Sequence, residues 1–391
     1  MSVSSLSARS STESMRSNLS TLTAPDSLAP AVTGPMVWKG SMLLPNEYVI
    51  QLTGSELEDI RAAIVYFAMK NRKPRNLSAI DKSAFPLRSE LAKKLSKASY
   101  EVHHGRGVAV VRGLRELRLN DDESTICFVG ICSYVCPHRG TDSYANQTLS
   151  HVRDATRDPV PYGAENIGLA GSKIPSAMDY HSDRFAGDVL ALHVRNDGGA
   201  TDGGEQYLSS FWTIYNELLE SDPGVLETMA AANWPFELKQ QDNDPYVEFG
   251  PTLFFSKGRP ICQLVKAPLV GSPRIPRSSD MPGLSGEQLH AIEAVQDMAK
   301  RFGTKLDRQT GDIQFVNNLS IMHARAAYGN NPGPSSRHLL RMFLRDPENE
   351  WEKPASFRNK FDDPFVPGRR QDIPVLDTDP RRKISGRDSH G

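Results

Sequence analysis

His181 and Asp183, together with His323 far downstream, are the residues with the clearest potential for metal chemistry. Their H-x-D spacing would put His181 and Asp183 on one face of a β-strand, because successive side chains of a strand point to opposite faces. Two imidazoles and one carboxylate are the ligand set that holds Fe(II) on one side and leaves the other side open for oxygen chemistry. The same short pattern also fits a surface strand end with a capping aspartate, so it needs support from the rest of the chain.

A second group of chemically useful residues follows His323 in residues 337–345. The run is apolar apart from its arginines, and it contains no glycine or proline, which predicts a strand. A period of two places Arg337, Arg341 and Arg345 on one face. Several guanidiniums on a half-buried face are costly unless an anion lies opposite them. The face is therefore either a salt-bridged structural surface or a pocket that binds carboxylates.

Four stretches occur in a characteristic order along the chain. They are the H-x-D pair, residues 203–218 (GGEQYLSSFWTIYNEL), residues 311–328 (GDIQFVNNLSIMHARAAY) and residues 337–346 (RHLLRMFLRD). In this combination the chain resembles the taurine dioxygenase (TauD/TfdA-like) family of iron(II)/2-oxoglutarate oxygenases, and its fungal branch in particular. The resemblance extends from about residue 34 to about residue 346, which is most of the chain.

The resemblance implies a role for each of these residues. His181, Asp183 and His323 would bind Fe(II) as the catalytic centre, with 2-oxoglutarate and O2 as cosubstrates. Arg337 matches the family arginine that holds the distal carboxylate of the keto acid. Gln206 occupies the position of a polar side chain that assists this arginine, and taurine dioxygenase has a threonine there.

The substrate is expected to be a small acidic or zwitterionic metabolite, such as an amino acid, a carboxylate or a sulfonate. Arg341 matches the position that contacts the acidic group of the substrate in taurine dioxygenase, and Phe343 and Asn318 are further candidate pocket residues. The expected reaction is oxidation of a C–H bond, with decarboxylation of 2-oxoglutarate to succinate. Desaturation or ring closure in secondary-metabolite biosynthesis and a non-catalytic jelly-roll binding protein are the alternatives.

Composition narrows the class of protein further. The chain has 391 residues, of which 38% are hydrophobic, and its formal net charge is −1, so we expect a small-molecule partner and no nucleic acid. No apolar run approaches the roughly 18 residues that a membrane-spanning helix requires. We expect a cytoplasmic protein, because the acidic Glu13 and Asp26 argue against a mitochondrial presequence. A homo-oligomer is compatible with this expectation. Four cysteines without disulfide or zinc spacing are expected in the core, namely Cys127, Cys132, Cys136 and Cys262.

The expected fold is a mainly β core with flanking helices, as a double-stranded β-helix (jelly roll, cupin-like). Residues 1–33 are rich in Ser and Thr and predict a disordered tail, residues 34–370 form a single TauD-like jelly-roll domain, and residues 371–391 form a loose C-terminal tail. Capping signals at Ser55, at Ser209 or Ser210, and at Ser285 predict three helix starts, and Asp222 followed by Pro223 predicts a fourth.

Overall fold

Two β-sheets face each other in the computed structural model, and helices cover the outer side of each sheet. The structure describes residues 28–71, 75–143, 145–160, 162, 168–240, 243–271, 276–378 and 380–381. Within these residues there are 15 strands, which are β1 Val49–Gln51, β2 Val108–Arg112, β3 His138–Arg139, β4 Ser150–Arg153, β5 Met178–His181, β6 Val189–Asn196, β7 Gln206–Ser210, β8 Trp234–Gln240, β9 Asn243–Gly250, β10 Leu253–Ser256, β11 Arg259–Cys262, β12 Thr304–Lys305, β13 Ile313–Asn317, β14 Ile321–Arg325 and β15 His338–Arg345.

The helices of the described residues lie mainly between strand groups. The α-helices are α1 Pro45–Tyr48, α2 Gly54–Lys70, α3 Ser89–His104, α4 Asp121–Val135, α5 Phe211–Ser221, α6 Pro223–Ala230, α7 Ala267–Val270, α8 Gly286–Phe302 and α9 Arg358–Asp362. Short 3-10 turns are formed by Gly40–Met42, Leu77–Ala79, Leu114–Leu117, Gly171–Lys173, Ala355–Phe357 and Asp363–Phe365.

The larger sheet has seven strands in the order β1-β2-β13-β6-β15-β3, and β4 also pairs with β15. The smaller sheet has four strands in the order β12-β7-β14-β5, while β8–β9 and β10–β11 form two separate pairs. All pairs are antiparallel except β1 with β2. Because neighbouring strands of the two larger sheets are far apart in the sequence, this arrangement depends on long-range pairing.

The alternation of side chains along β15 shows how the layers are held together. Leu340 and Met342 point outward into a core shared with α2, α3 and α4. Leu339 points inward, toward Leu208 and Ile321 of the smaller sheet. A further core lies between the outer face of the smaller sheet and α5, α6 and α8. Helices, two sheets and helices thus form successive layers, and the predicted fold class is confirmed.

Side-chain caps fix the starts of the long helices. Ser285 accepts a hydrogen bond from the Gln288 backbone, and Ser210 caps α5 in the same way, as predicted. The prediction of Ser55 as the cap of α2 is wrong by two residues. Thr53 accepts from the Glu56 backbone there, and the Glu56 carboxylate accepts from the Thr53 backbone in return.

Parts of both predicted tails are packed against the domain. The backbone N–H and carbonyl of Val32 each bond to the Asn216 side chain, at 2.8 Å in both cases. Asp377 forms ion pairs with Arg153 and Lys173 at 2.8 and 2.7 Å. Packed residues thus occur on both outer sides of the predicted limits at residues 34 and 370. The rest of the two predicted tails, residues 1–27, 379 and 382–391, lies outside the described residues.

All four cysteines are buried and free of disulfides, as expected for core residues. Among the helices that the structure describes, none has the length and apolarity needed to cross a membrane.

Candidate active site

The two predicted histidine ligands meet across a pair of neighbouring strands. His181 is the last residue of β5, and it is the cross-strand partner of His323 in β14. Asp183 lies beyond the end of β5, so the prediction that it shares a strand face with His181 is wrong. The three side chains still converge, because the ligand atoms that they offer all lie within 4.8 Å of one another. The His323 Nε2 lies 3.3 Å from Asp183 Oδ2, and the His181 Nε2 lies 3.9 Å from Asp183 Oδ1.

The hydrogen bonds of the imidazoles favour metal binding through Nε2. His181 Nδ1 lies 2.8 Å from the Asp179 carbonyl oxygen. Because a carbonyl oxygen only accepts, Nδ1 carries the proton and Nε2 keeps its lone pair. His323 Nδ1 has no hydrogen-bond partner among the described residues, and its Nε2 also faces Asp183. Two imidazole nitrogens and a carboxylate, with His181 and Asp183 buried, fit a divalent iron.

Asn318 holds the loop that carries Asp183. Its Oδ1 accepts from the Asp183 backbone N–H at 2.9 Å, and its Nδ2 donates to the Asp183 carbonyl at 2.7 Å and to the Gly187 carbonyl at 3.0 Å. The side chain is fully buried and does not line the cavity that contains the three ligands. The structure therefore does not bring the predicted Asn318 to the central cavity, and its bonds position the backbone of Asp183.

The three ligands open into a cavity between the two sheets. This central cavity has a volume of about 630 Å³, its open mouth included. Leucines and valines from β6, β13 and β15 form one wall, while β7 and β14 form the other. Apolar walls with a few polar groups are typical of small-molecule sites. The polar or charged residues that line it, apart from the three ligands, are Ser172, Gln206, Gln314, Arg325, Arg337 and Arg341.

Arg337 is almost fully enclosed at the edge of this cavity. It lies one residue before β15 with 2% of its surface exposed, and its Nε and Nη1 have no hydrogen-bond partner in the described part of the chain. Burial and the nearby Arg325 and Arg308 lower the pKa of Arg337 to about 9, so the guanidinium remains charged at neutral pH. An unpaired buried cation is costly, which favours an anion as its partner.

The glycine pair that precedes Gln206 makes room for this arginine. A Cβ added to Gly204 would lie 2.7 Å from Arg337 Nε, and the φ of Gly204 is +74°. Any other residue would both clash with the guanidinium and strain the backbone. Gln206 itself is the first residue of β7, and its Oε1 is buried without a hydrogen-bond partner among the residues described.

Arg341 lies between the central cavity and a second one. Its Nε donates to Ser150 Oγ at 3.1 Å, and its guanidinium lies 5.4 Å from the centre of the Phe343 ring. The second cavity, about 500 Å³ with its open part, is lined by Arg341, Phe343 and Thr148 among others, whereas Phe343 does not line the central cavity. Of the predicted residues, the structure thus brings His181, Asp183, His323, Gln206, Arg337 and Arg341 to one cavity and leaves Phe343 at the adjoining one.

Arg345 has a different environment on the same strand face. It pairs with Asp188 at 2.9 Å, Glu350 at 3.3 Å and Asp362 at 2.6 Å. The arginine face is therefore divided. Arg345 lies in a salt-bridged cluster, whereas Arg337 and Arg341 line the central cavity.

Sequence reasoning missed two polar residues of the central cavity. Gln314 on β13 is fully buried, and neither of its amide atoms has a hydrogen-bond partner among the described residues. Arg325 is two residues after His323 on β14, so the parity argument that was applied to β15 would have placed it on the ligand face. Gln314 could not be found in this way, because none of the other residues of β13 belongs to a predicted site.

Comparison with known proteins gives one family and a small set of relatives. A family model described as "Taurine catabolism dioxygenase TauD, TfdA family" matches residues 71–343. The taurine hydroxylase-like protein SAT17 of Stachybotrys chartarum is 31% identical over 341 residues, which are 86% of this chain and 86% of the relative. The FR-33289 synthase of Streptomyces rubellomurinus is 25% identical over 337 residues, or 83% of this chain and 93% of the relative.

Solved structures show the same fold at low sequence identity. An asparagine oxygenase in complex with Fe(II), 2S,3S-3-hydroxyasparagine and succinate aligns with a TM-score of 0.53 and 15% identity, over 76% of this chain and 93% of its own. The non-heme iron oxygenase OrfP in complex with Fe and alpha-ketoglutaric acid aligns with a TM-score of 0.52 and 15% identity, over 76% of this chain and 94% of its own.

Proposed function

Because the chain belongs to the taurine catabolism dioxygenase (TauD, TfdA) family, we propose that it oxidises a C–H bond of a small acidic or zwitterionic metabolite. Membership confirms the predicted enzyme class, an iron(II)/2-oxoglutarate-dependent dioxygenase that uses O2. The roles of individual residues and the substrate class are the proposal.

One observation carries the assignment of the metal site. The ligand atoms of His181, Asp183 and His323 converge within 4.8 Å at a cavity that also contains the buried guanidinium of Arg337, two nitrogens of which have no hydrogen-bond partner among the described residues. A keto acid needs both features, a metal at one end and a cation at the other. The structural alternative, a polar cluster inside a binding protein, explains neither the tautomer of His181 nor the enclosed charge.

The protein positions and shields the reaction rather than carrying it out. Bound iron, with 2-oxoglutarate and O2, supplies the oxidant for the C–H bond as 2-oxoglutarate is converted to succinate and CO2. The metal would be held by His181, Asp183 and His323. The Asp179 carbonyl keeps the proton of His181 on Nδ1, so that Nε2 is available to the metal. Arg337, assisted by Gln206, holds the distal carboxylate of the keto acid. The apolar walls of the two sheets exclude bulk water from the site.

Arg341 is proposed to bind the acidic group of the substrate. It is 8% exposed and lines the central cavity from the larger sheet, two residues further along the same strand face than Leu339. It also lines the second cavity, beside Phe343. Two structural relatives are described with hydroxylated asparagine and hydroxylated arginine, which supports an amino acid as the first substrate class to test.

The test is an anaerobic titration of the purified chain with Fe(II) and 2-oxoglutarate, followed by a metabolite panel in air that scores succinate release. Wild-type protein should bind both and release succinate, while replacement of His181, Asp183 or His323 by Ala should abolish turnover and preserve the fold. His290→Ala is the matched control, since His290 is an exposed histidine outside the cavity. Full activity of His323→Ala would contradict the ligand assignment.

Hydroxylation and the alternative outcomes leave different products. Hydroxylation adds one oxygen atom to the substrate, whereas desaturation or ring closure removes two hydrogen atoms. Mass measurement of the product of the first active substrate therefore separates them. The non-catalytic alternative is rejected by any substrate-dependent succinate release.

A further inference from the structure

The end of the central cavity near Gln206 contains more buried positive charge than Arg337 alone supplies. Arg325, the last residue of β14, is 6% exposed and lines the same cavity. Its Nε and Nη1 have no hydrogen-bond partner in the part of the chain that the structure describes. The titratable groups that act on it are Tyr328, Arg308 and Arg337, and no described carboxylate is among them.

The position of Arg325 on β14 directs its side chain toward the end of the cavity near Gln206. His323 and Arg325 are two residues apart on β14, so both side chains point to the face that holds the metal ligands. Arg325 is also the cross-strand partner of Gln206, and His323 is that of Leu208. The Arg325 and Arg337 guanidiniums lie over one aromatic ring, 4.8 and 4.9 Å from the centre of Tyr328.

The contacts of Arg325 within the protein do not account for its charge. Its Nη2 donates to the carbonyl oxygens of Ile174 and Ser176, which ties β14 to the segment before β5. Neutral carbonyls satisfy one nitrogen but do not balance a buried cation, and the neighbouring Arg337 repels it. A structural tether alone would be better served by an uncharged donor. A carboxylate between the two guanidiniums would satisfy both.

We propose that Arg325 is a second cationic contact for the distal carboxylate of 2-oxoglutarate, which lies between Arg325, Arg337 and Gln206. This inference rests on the proposed function, because it requires the keto acid to occupy that end of the cavity. It makes the pocket selective for keto acids with a second carboxylate. 2-Oxopentanoate, which has a methyl group in place of that carboxylate, would not use the arginine pair.

The test measures binding rather than turnover. The full chain is loaded with Mn(II) and titrated without O2 with 2-oxoglutarate or 2-oxopentanoate in a calorimeter. Arg325→Met should weaken 2-oxoglutarate binding by about 10- to 100-fold, the range for loss of a hydrogen bond to a charged group, and leave 2-oxopentanoate unchanged. Arg325→Lys, which retains the charge, should recover part of the affinity. Arg337→Met is the reference for loss of the primary anchor.

Arg308→Met is the matched control for charge without contact. Arg308 also acts on Arg337, but it does not line the cavity, and its nitrogens bond to the Gly204 and Asp197 carbonyls. Its loss should therefore weaken 2-oxoglutarate binding less than the loss of Arg325.

Three results would overturn this inference without affecting the proposed function. The first is an Arg325→Met variant that binds 2-oxoglutarate as tightly as wild type, and the second is an equal loss of affinity for both keto acids. The third is a loss of 2-oxoglutarate affinity in Arg308→Met as large as in Arg325→Met. If wild-type protein binds no 2-oxoglutarate, the proposed function fails as well. Should Arg325→Met not fold, the same comparison is made with Arg325→Lys, for which an unchanged affinity for both keto acids would also count against the inference.

Discussion

At the scale of single residues, the partner of a side chain decides its role. Arg337, Arg341 and Arg345 share one strand face, but only Arg345 is surrounded by carboxylates. Its charge is balanced within the protein, and burial in that network stabilises the end of β15. Arg337 forms no ion pair with the described residues, and its Nε and Nη1 have no hydrogen-bond partner among them.

Arg341→Gln tests the proposed substrate contact. We expect 2-oxoglutarate to bind as in wild type, because its anchor is elsewhere, while the substrate loses its acidic contact and KM rises by about tenfold or more. Succinate should then form without an equal amount of oxidised product, which is measured by comparing the two in one reaction. Arg345→Gln is the control on the same strand face, and it should lower stability without changing this ratio. A large loss of 2-oxoglutarate binding in Arg341→Gln would contradict the assignment.

At the scale of elements, regular strands were predictable and their ends were not. The alternation along β15 correctly predicts that Arg341 faces the cavity, because the pairing with β6 is regular from Leu339 to Leu344. Arg337 lies just before the strand, beyond an irregularity between His338 and Leu339, and it also lines the cavity. The same reasoning failed for Asp183, since β5 ends at His181 and the chain turns away. Where a strand ends depends on hydrogen bonds to distant segments. One of these, from the Ser182 backbone N–H to the Leu264 carbonyl, leaves no local signal in the sequence.

Asn318→Ala tests how one element positions another. Asn318 follows β13 and bonds to both backbone groups of Asp183, so its loss frees the loop that carries this ligand. Metal affinity should fall by about 10- to 100-fold, as for other residues that support metal ligands. Mn(II) titration of the apoprotein measures this directly. Asn317→Ala is the matched control, because Asn317 is equally buried but bonds to Val102 and to the turn after β13. Equal affinity in Asn318→Ala and wild type would refute the positioning role.

At the scale of the whole molecule, the least predictable features are contacts between segments that are far apart in sequence. Residues 28–33 and 371–378 have compositions typical of loose ends, yet Val32 bonds to Asn216 and Asp377 pairs with Arg153 and Lys173. Local composition says only that such a segment cannot order by itself. Whether a folded surface offers it partners depends on the tertiary structure. The order of strands in the two sheets was not predictable for the same reason.

One buried network of ion pairs connects the loop that carries Asp183 to the C-terminal part of the domain. Asp188 follows that loop, is 1% exposed, and pairs with Arg345 at 2.9 Å and with Lys353 at 2.8 Å. Burial alone would raise the pKa of Asp188, but Lys353 and Arg345 outweigh it and hold the pKa below its usual value. Other titratable groups at this network are His103, Glu350 and Asp362.

Asp188→Asn should therefore lower the free energy of unfolding at pH 7 by about 3 kcal/mol, because it leaves two buried cations without their shared carboxylate. Since the folded pKa of Asp188 is depressed, its contribution is complete above the unfolded value of about 4 and disappears as the pH falls through the lower folded value. The unfolding curves of Asp188→Asn and wild type should then converge in acid, which denaturant titrations at pH 7 and pH 3 measure. Asp297→Asn, in an exposed pair with Lys300, should match wild type at both. A difference that stays constant between pH 7 and pH 3 would mean that the carboxylate stabilises the fold through its shape and not through its charge.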